Sequence, residues 1–245
     1  MIQILVPLAG SSSFFQEEEF QYPKPLIEIK GIPMIQWVIE CLQKIEGAKK
    51  FIFILNERDC TKFHLDDTIS ILTDNQAIIV KLKNATKGAI CSALMAIDEL
   101  DTESPLLISN GDQVIEKELQ DAVTYFDTSL LDAGVVTFQS VHPKWSFIRT
   151  EGNNVVETAE KRPISRDAVA GIYYFKKTSY FIKAAFDALY KDSSHEGFFF
   201  ISAAVNELIL TNQQVGYYKI ENKNYHSFYS PQKIKEFESQ KTLKN

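Results

Sequence analysis

Ile2-Gln3-Ile4-Leu5-Val6-Pro7-Leu8-Ala9-Gly10 opens the chain with an apolar, β-branched run that stops at two small residues. Such a run reads as a buried strand ending at a turn. A polar loop follows from Ser11 to Pro25, and Pro23 and Pro25 hold its end extended. Pro33 suits a first helical turn, and Ile35, Val38, Ile39, Leu42 and Ile45 recur at helical spacing before Gly47. Phe51–Leu55 is then a second buried strand. A helix over Asp59–Leu72, a strand at Ala77–Leu82, helical periodicity over Gly88–Leu100 and a short strand at Leu106–Ser109 continue the alternation. Strand and helix alternating at this interval predict crossover units on a mainly parallel sheet.

From Asp132 the texture changes. Val135–Phe138, Ser146–Arg149, Val155–Ala159 and Ala168–Phe175 read as strands with no long helix between them. Helices near Ser179–Tyr190 and Ile201–Leu210 and a strand at Val215–Ile220 complete the core, and the charged tail after Lys235 reads as a frayed helix. With no linker, repeat or low-complexity segment, residues 1–245 read as one α/β domain. Its first half, 1–131, has a nucleotide-binding pattern; 132–235 is a mixed, β-rich half, and 236–245 is tail. Ligands of open α/β sheets bind beyond the carboxyl ends of the strands, so the loops after Leu8, Leu82 and Ser109 are expected to converge.

Composition narrows the function. The 245 residues carry 26 Lys and Arg against 32 Asp and Glu, a net charge of −6, with 45% apolar content. Net acidity without a basic run argues against nucleic acid as a partner. The apolar stretches fall far short of the ~20 residues a membrane-spanning helix needs, and the N-terminus makes a poor secretory signal. Cys41, Cys60 and Cys91 are scattered, which fits a reducing cytoplasm. His64, His142, His195 and His226 lack zinc-ligand spacing.

Four segments carry chemistry. Gly10-Ser11-Ser12-Ser13 offers backbone N–H groups and hydroxyls to phosphate oxygens, with an ordinary serine-rich turn as the competing reading. In Tyr22-Pro23-Lys24-Pro25-Leu26, two prolines frame one lysine, which reduces the entropy lost in aiming that cation at a ligand. The acidic run Glu17-Glu18-Glu19 just upstream reads as an exposed loop. Leu106–Asp112 is an apolar strand ending in a carboxylate that can hold Mg²⁺ beside phosphate oxygens and water, or can cap a turn. Glu160-Lys161, followed by Ala170-Gly171-Ile172-Tyr173, is explained equally by a salt-bridged strand end.

Their order is the informative part. Val6-Pro7-Leu8-Ala9-Gly10, Pro23-Lys24-Pro25-Leu26-Ile27 and Gly31-Ile32-Pro33-Met34-Ile35 lead the series. Thr86-Lys87-Gly88-Ala89, Asn110-Gly111-Asp112-Gln113, Glu160-Lys161 and Gly171-Ile172-Tyr173 follow. As a set, spread over Ile2 to Phe237, they resemble the sugar-phosphate nucleotidyltransferases. His142-Pro143-Lys144-Trp145-Ser146 resembles a small bacterial subgroup found among surface-polysaccharide genes.

The resemblance implies a GT-A-like, Rossmann-related fold. It also implies transfer of NMP from an NTP to a phosphorylated sugar or small molecule, releasing pyrophosphate. By subgroup the NTP is CTP, UTP or dTTP, and the setting is cytoplasmic synthesis of capsule or lipopolysaccharide precursors. Leu8, Ala9, Gly10, Ser11, Ser12, Ser13, Lys24, Thr86, Lys87, Gly88, Ala89, Asn110 and Gly111 would bind the nucleotide. Lys24, Asp112 and Lys161 would be catalytic, with Asp112 on Mg²⁺. Trp145, Glu160, Lys161 and Gly171 would meet the acceptor. No membrane partner is implied, and a homo-oligomer is left open. Three positions depart from the family pattern. Phe14 stands where an arginine would meet the leaving phosphates, with Lys87 or Lys144 to compensate. His226–Pro231 lacks a metal-binding aspartate, and Val169 replaces an asparagine common in sugar-specific members. A GT-A-type glycosyltransferase using a nucleotide-sugar is the alternative activity, although the chain has no Asp-x-Asp. A non-catalytic nucleotide-binding homologue is the third reading.

Overall fold

In the computed structural model, the described residues are 1–10, 14–15 and 20–239. The elements run β1 (Ile2–Pro7), β2 (Glu28–Ile29), β3 (Ile32–Pro33), α1 (Met34–Gln43), β4 (Lys49–Asn56), α2 (Glu57–Phe63), α3 (Leu65–Leu72), β5 (Ile78–Leu82) and α4 (Ala89–Leu94). They continue with β6 (Leu106–Ser109), β7 (Gln113–Ile115), α5 (Leu119–Thr128), β8 (Ala133–Gln139), β9 (Phe147–Glu151), β10 (Asn154–Ala159) and β11 (Asp167–Phe175). The last are α6 (Thr178–Tyr190), α7 (Ile201–Leu210), β12 (Val215–Lys219), β13 (Tyr225–Ser227) and α8 (Pro231–Ser239).

Among the described residues the main sheet has nine strands in the order β5-β4-β1-β6-β11-β8-β12-β10-β9. β5, β4, β1 and β6 are mutually parallel, as expected for the first half. β11 enters antiparallel to both β6 and β8, and the second half is mixed. Strand side chains alternate between two cores. Ile4 and Val6, Phe53 and Leu55, and Leu107 face one side, where α1, α3, α5 and α8 pack. Leu5, Ile52, Ile54, Leu106 and Ile108 face the other, under α4, α6 and α7. Helices on both faces explain why the central strands read as continuous apolar runs. No helix of the described residues is long and apolar enough to cross a membrane.

Several elements differ from expectation. The helix expected over Asp59–Leu72 is two helices, broken at His64, whose φ of 54° is left-handed. The break turns α3 so that Leu65 and Ile69 reach the core, while Asp66 and Asp67 favour its new N-terminus. The periodic stretch to Leu100 gives only α4 and a 3-10 turn at Ile97–Glu99. The loop expected to stay extended through Pro25 does so at Pro23 but turns into a 3-10 helix over Lys24–Leu26. The sequence reading omitted α5, although Leu119, Ala122, Val123 and Phe126 line its buried face. It also omitted the short pairs β2–β3 and β7–β13.

One buried polar side chain ties the sheet to the second half. Gln3 is fully buried; its amide donates to the Asp101 carbonyl at 2.8 Å and the Thr178 hydroxyl at 2.9 Å, and accepts from the Asp101 amide at 2.8 Å. Gln3→Leu strips partners from these groups, and each unpaired buried group costs roughly 1–3 kcal/mol. The expected loss is about 3 kcal/mol, read as a lower urea midpoint at unchanged slope.

Candidate active site

The parallel strands deliver their carboxyl ends to one edge, and two of the predicted residues meet there. β1 runs out at Leu8, whose amide donates to the Ile54 carbonyl at 2.8 Å, so the following Ala9 and Gly10 stand above the sheet. β6 ends at Ser109, and Asn110, Gly111 and Asp112 form the next turn. At Gly111 the turn packs closely on β1, since a Cβ there would lie 2.0 Å from Leu8 Cδ2 and 3.3 Å from Val6 Cγ1. Lys24 and Asp112, 88 positions apart in sequence, form an ion pair at 2.5 Å with side chains 22% and 23% exposed. Pro7, Leu8, Gly10, Lys24, Pro25, Asn110, Gly111 and Asp112 line a common cavity of about 230 Å³.

Beside it lies a larger cavity of about 600 Å³. Leu8, Ala9, Gly10, Lys24, Asn56 and Ala85 contribute to its wall, so the loops after β1 and β5 meet here as expected, together with the end of β4, while the loop after Ser109 lines the smaller cavity. Arg58 and Lys62, which sequence reasoning passed over, line the same wall from α2. The Thr86–Ala89 loop reaches the wall only through its neighbour Ala85. Thr86 Oγ1 is 2.6 Å from Ser92 Oγ and donates to the Gly88 carbonyl at 3.2 Å. The Lys87 carbonyl accepts from the Phe199 amide at 2.8 Å, and the Phe199 carbonyl accepts from the Ile90 amide at 3.1 Å. Ser11, Ser12 and Ser13, expected to bind phosphate, lie outside the described residues, as do Glu17, Glu18 and Glu19.

On the other side of Asp112, β11 bulges between Val169 and Tyr173. Gly171 sits in that bulge with φ +65°, its carbonyl accepting from the Asn110 amide at 2.9 Å. A Cβ there would lie 2.3 Å from Asn110 Nδ2 and 2.8 Å from Gln113 Oε1. Tyr225 donates to Gln113 Oε1 at 3.1 Å, and burial together with the Asp112 charge pushes its phenol pKa up. Burial and the Glu160 charge do the same to Tyr173. Tyr225 was not singled out in the sequence, and Gln113 entered only as the end of a motif, because their meeting depends on β7 pairing with β13.

Glu160 and Lys161 do not pair with each other, so the salt-bridged strand end is not formed. The Glu160 carboxylate accepts from the Ser146 and Ser202 hydroxyls. Lys161, in a left-handed conformation at φ 50°, points instead to Glu196 at 3.2 Å and lies over the Phe200 ring. The divergence follows from that backbone turn. Glu160 lines a third cavity, about 510 Å³, with His195, Phe200, Ser202 and Asn206. Trp145 is half-buried in an aromatic cluster with Phe138, Tyr225 and Tyr229 at centroid distances of 5.2, 6.0 and 5.9 Å.

The Lys24–Asp112 pair thus lies beside the cavity at the ends of β1 and β4, and Glu160 and Lys161 follow the end of β10. The profile of the family described as nucleotidyl transferase matches residues 20–225. The bifunctional protein GlmU of Methanocaldococcus jannaschii is 28% identical over 160 residues, which cover 63% of this chain and 35% of that protein. The chain therefore spans about a third of the length of this relative. The crystal structure of a nucleoside-diphosphate-sugar pyrophosphorylase from Vibrio cholerae superposes with a TM-score of 0.83 at 23% identity, over 97% of this chain and 100% of that one. The inositol-1-phosphate CTP transferase of T. maritima gives 0.74 at 15% identity, over 94% and 90%.

Proposed function

Because the chain belongs to the nucleotidyl transferase family, we propose that it moves a nucleoside monophosphate from an NTP to a phosphorylated small molecule, a sugar phosphate above all. The observation that carries this reading is the Lys24–Asp112 pair at the mouth of the cavities. It brings a proline-framed cation and a strand-end carboxylate to one point. The names of the structural neighbours, a nucleotide-sugar pyrophosphorylase and an inositol-1-phosphate CTP transferase, support a phosphorylated acceptor. CTP, UTP or dTTP is the proposed donor, and precursor synthesis for a surface polysaccharide the proposed setting.

The reaction balances without a protein base. A phosphate monoester loses its second proton near pH ~6, so the acceptor arrives largely as a dianion. Its oxygen attacks the α-phosphorus, the α–β phosphoanhydride bond breaks, and pyrophosphate leaves. The protein contributes position and charge. Lys24, fixed between Pro23 and Pro25, donates to triphosphate oxygens as negative charge builds on the leaving group. Lys161 holds the acceptor phosphate, and Glu160, Trp145 and Gly171 bound its body.

Among the described residues, no three His, Cys, Asp or Glu side chains cluster as a metal cage. One carboxylate beside a phosphate pocket nonetheless suits Mg²⁺, which binds through one or two carboxylates plus phosphate oxygens and water. Asp112 would hold it, and the ion would neutralise phosphate charge.

Pyrophosphate release from each NTP with a panel of phosphorylated acceptors tests the proposal. Release with one pair supports it; nucleotide binding without release across the panel favours the non-catalytic reading, and sugar transfer from a nucleotide-sugar favours the glycosyltransferase. Lys161→Ala is expected to raise the acceptor KM roughly ten- to a hundredfold while leaving NTP affinity within about twofold. An equal loss on both substrates would remove Lys161 from the acceptor site.

A further inference from the structure

The geometry points to Lys144 as a phosphate-binding cation of this active site, mounted on an aromatic pair; the inference rests on the nucleotidyltransferase reading. A nucleoside triphosphate brings several negative charges to the edge where Lys24 is matched by Asp112, a locally neutral pair. Lys144 adds a positive charge near by. Its Nζ lies 3.0 Å from the Tyr229 ring centroid and 4.2 Å from that of Trp145. Ring faces hold a cation through their quadrupole without cancelling its charge. Glu236, the carboxylate that faces Lys144, is itself paired with Lys233.

The mount fixes where this charge sits. Tyr229 follows Phe228, whose amide donates to the Asp112 carbonyl at 2.7 Å. On its other side Tyr229 meets the ring of Phe14 at 5.7 Å, in the loop that leaves Gly10. Lys144 therefore sits on the tyrosine that lies between Phe14 and the Asp112 turn. Burial lowers its pKa, so the ammonium has given up part of its hydration and gains by meeting an anion. Phe14, 54% exposed at that point, has no charge to offer the phosphates.

Isothermal titration tests this with CTP, UTP, dTTP, ATP and GTP, each with Mg²⁺, and with the monophosphate of whichever binds. Lys144→Met keeps the stem on the rings and deletes the charge; Lys144→Gln is the second variant, and unliganded melting checks that each folds. Either is expected to weaken triphosphate binding roughly ten- to a hundredfold and leave the monophosphate unchanged, as one lost charge-assisted contact to the outer phosphates would. Adding Phe14→Arg to Lys144→Met is expected to recover most of that loss, because position 14 abuts the same tyrosine. Wild-type triphosphate affinity in both variants, or equal losses for triphosphate and monophosphate, would overturn the role of Lys144. A wild-type protein that binds no triphosphate overturns the transferase reading itself.

Discussion

Asp112→Asn is expected to leave the protein folded and to cut pyrophosphate release about a hundred- to a thousandfold, the usual effect of deleting one preorganised electrostatic group. Asparagine keeps the shape of the turn after β6 and loses only the charge. Among the described residues, that charge is the one carboxylate lining the cavity shared by Gly10, Lys24 and Asn110. The wild type at a hundred times the triphosphate dissociation constant should gain ~2.7 kcal/mol, a rise of roughly 5–10 °C in Tm. In the variant the Mg²⁺-dependent part of that rise should vanish. Pyrophosphate release at the wild-type rate would reduce Asp112 to a structural partner of Lys24.

The second large effect concerns stability. At Gly88 a Cβ would fall 2.5 Å from the Phe199 carbonyl oxygen and 2.6 Å from its nitrogen, and φ is +107°. Both neighbours are main chain, so neither can swing aside. Gly88→Ala is expected to cost about 2–4 kcal/mol, a fall of roughly 5–15 °C in Tm. It should also disturb the segment joining Glu196 to Phe199, and with it the anchoring of Lys161. Gly152 provides the control, with φ +60° and open space around its absent Cβ. Gly152→Ala should cost only about 1 kcal/mol of backbone strain. If both variants melt together, the close approach at Gly88 is not what holds the segment.

Much of this was legible in the sequence because rigid local features report themselves. The helix Ile201–Leu210 lies where its periodicity puts it, and β11 covers the expected run to within a residue. Lys24 and Asp112 were recognisable because prolines frame one and a buried strand ends at the other. Features that depend on distant partners were not. β2 and β3 are two residues each and exist only as a pair, and β7 needs β13 from the far end of the chain. The αL residue at His64 breaks a continuous amphipathic pattern without a glycine or proline to announce it. Lys161 turns to Glu196 because of its own backbone conformation, which neighbouring residue types did not reveal.

The placement of β11 has a consequence for cooperativity. Ile172–Phe175 pair with β6 on one side, Asp167–Val169 and Tyr173–Phe175 pair with β8 on the other, and eight of its nine residues are buried. The two halves of the chain therefore share a central seam and not a hinge. A chain cut at residue 131 would leave β6 in one fragment with a bare, apolar edge and strip β11 of a neighbour in the other, inviting aggregation of both. The two halves are therefore expected to melt as one unit, with a single transition by every probe.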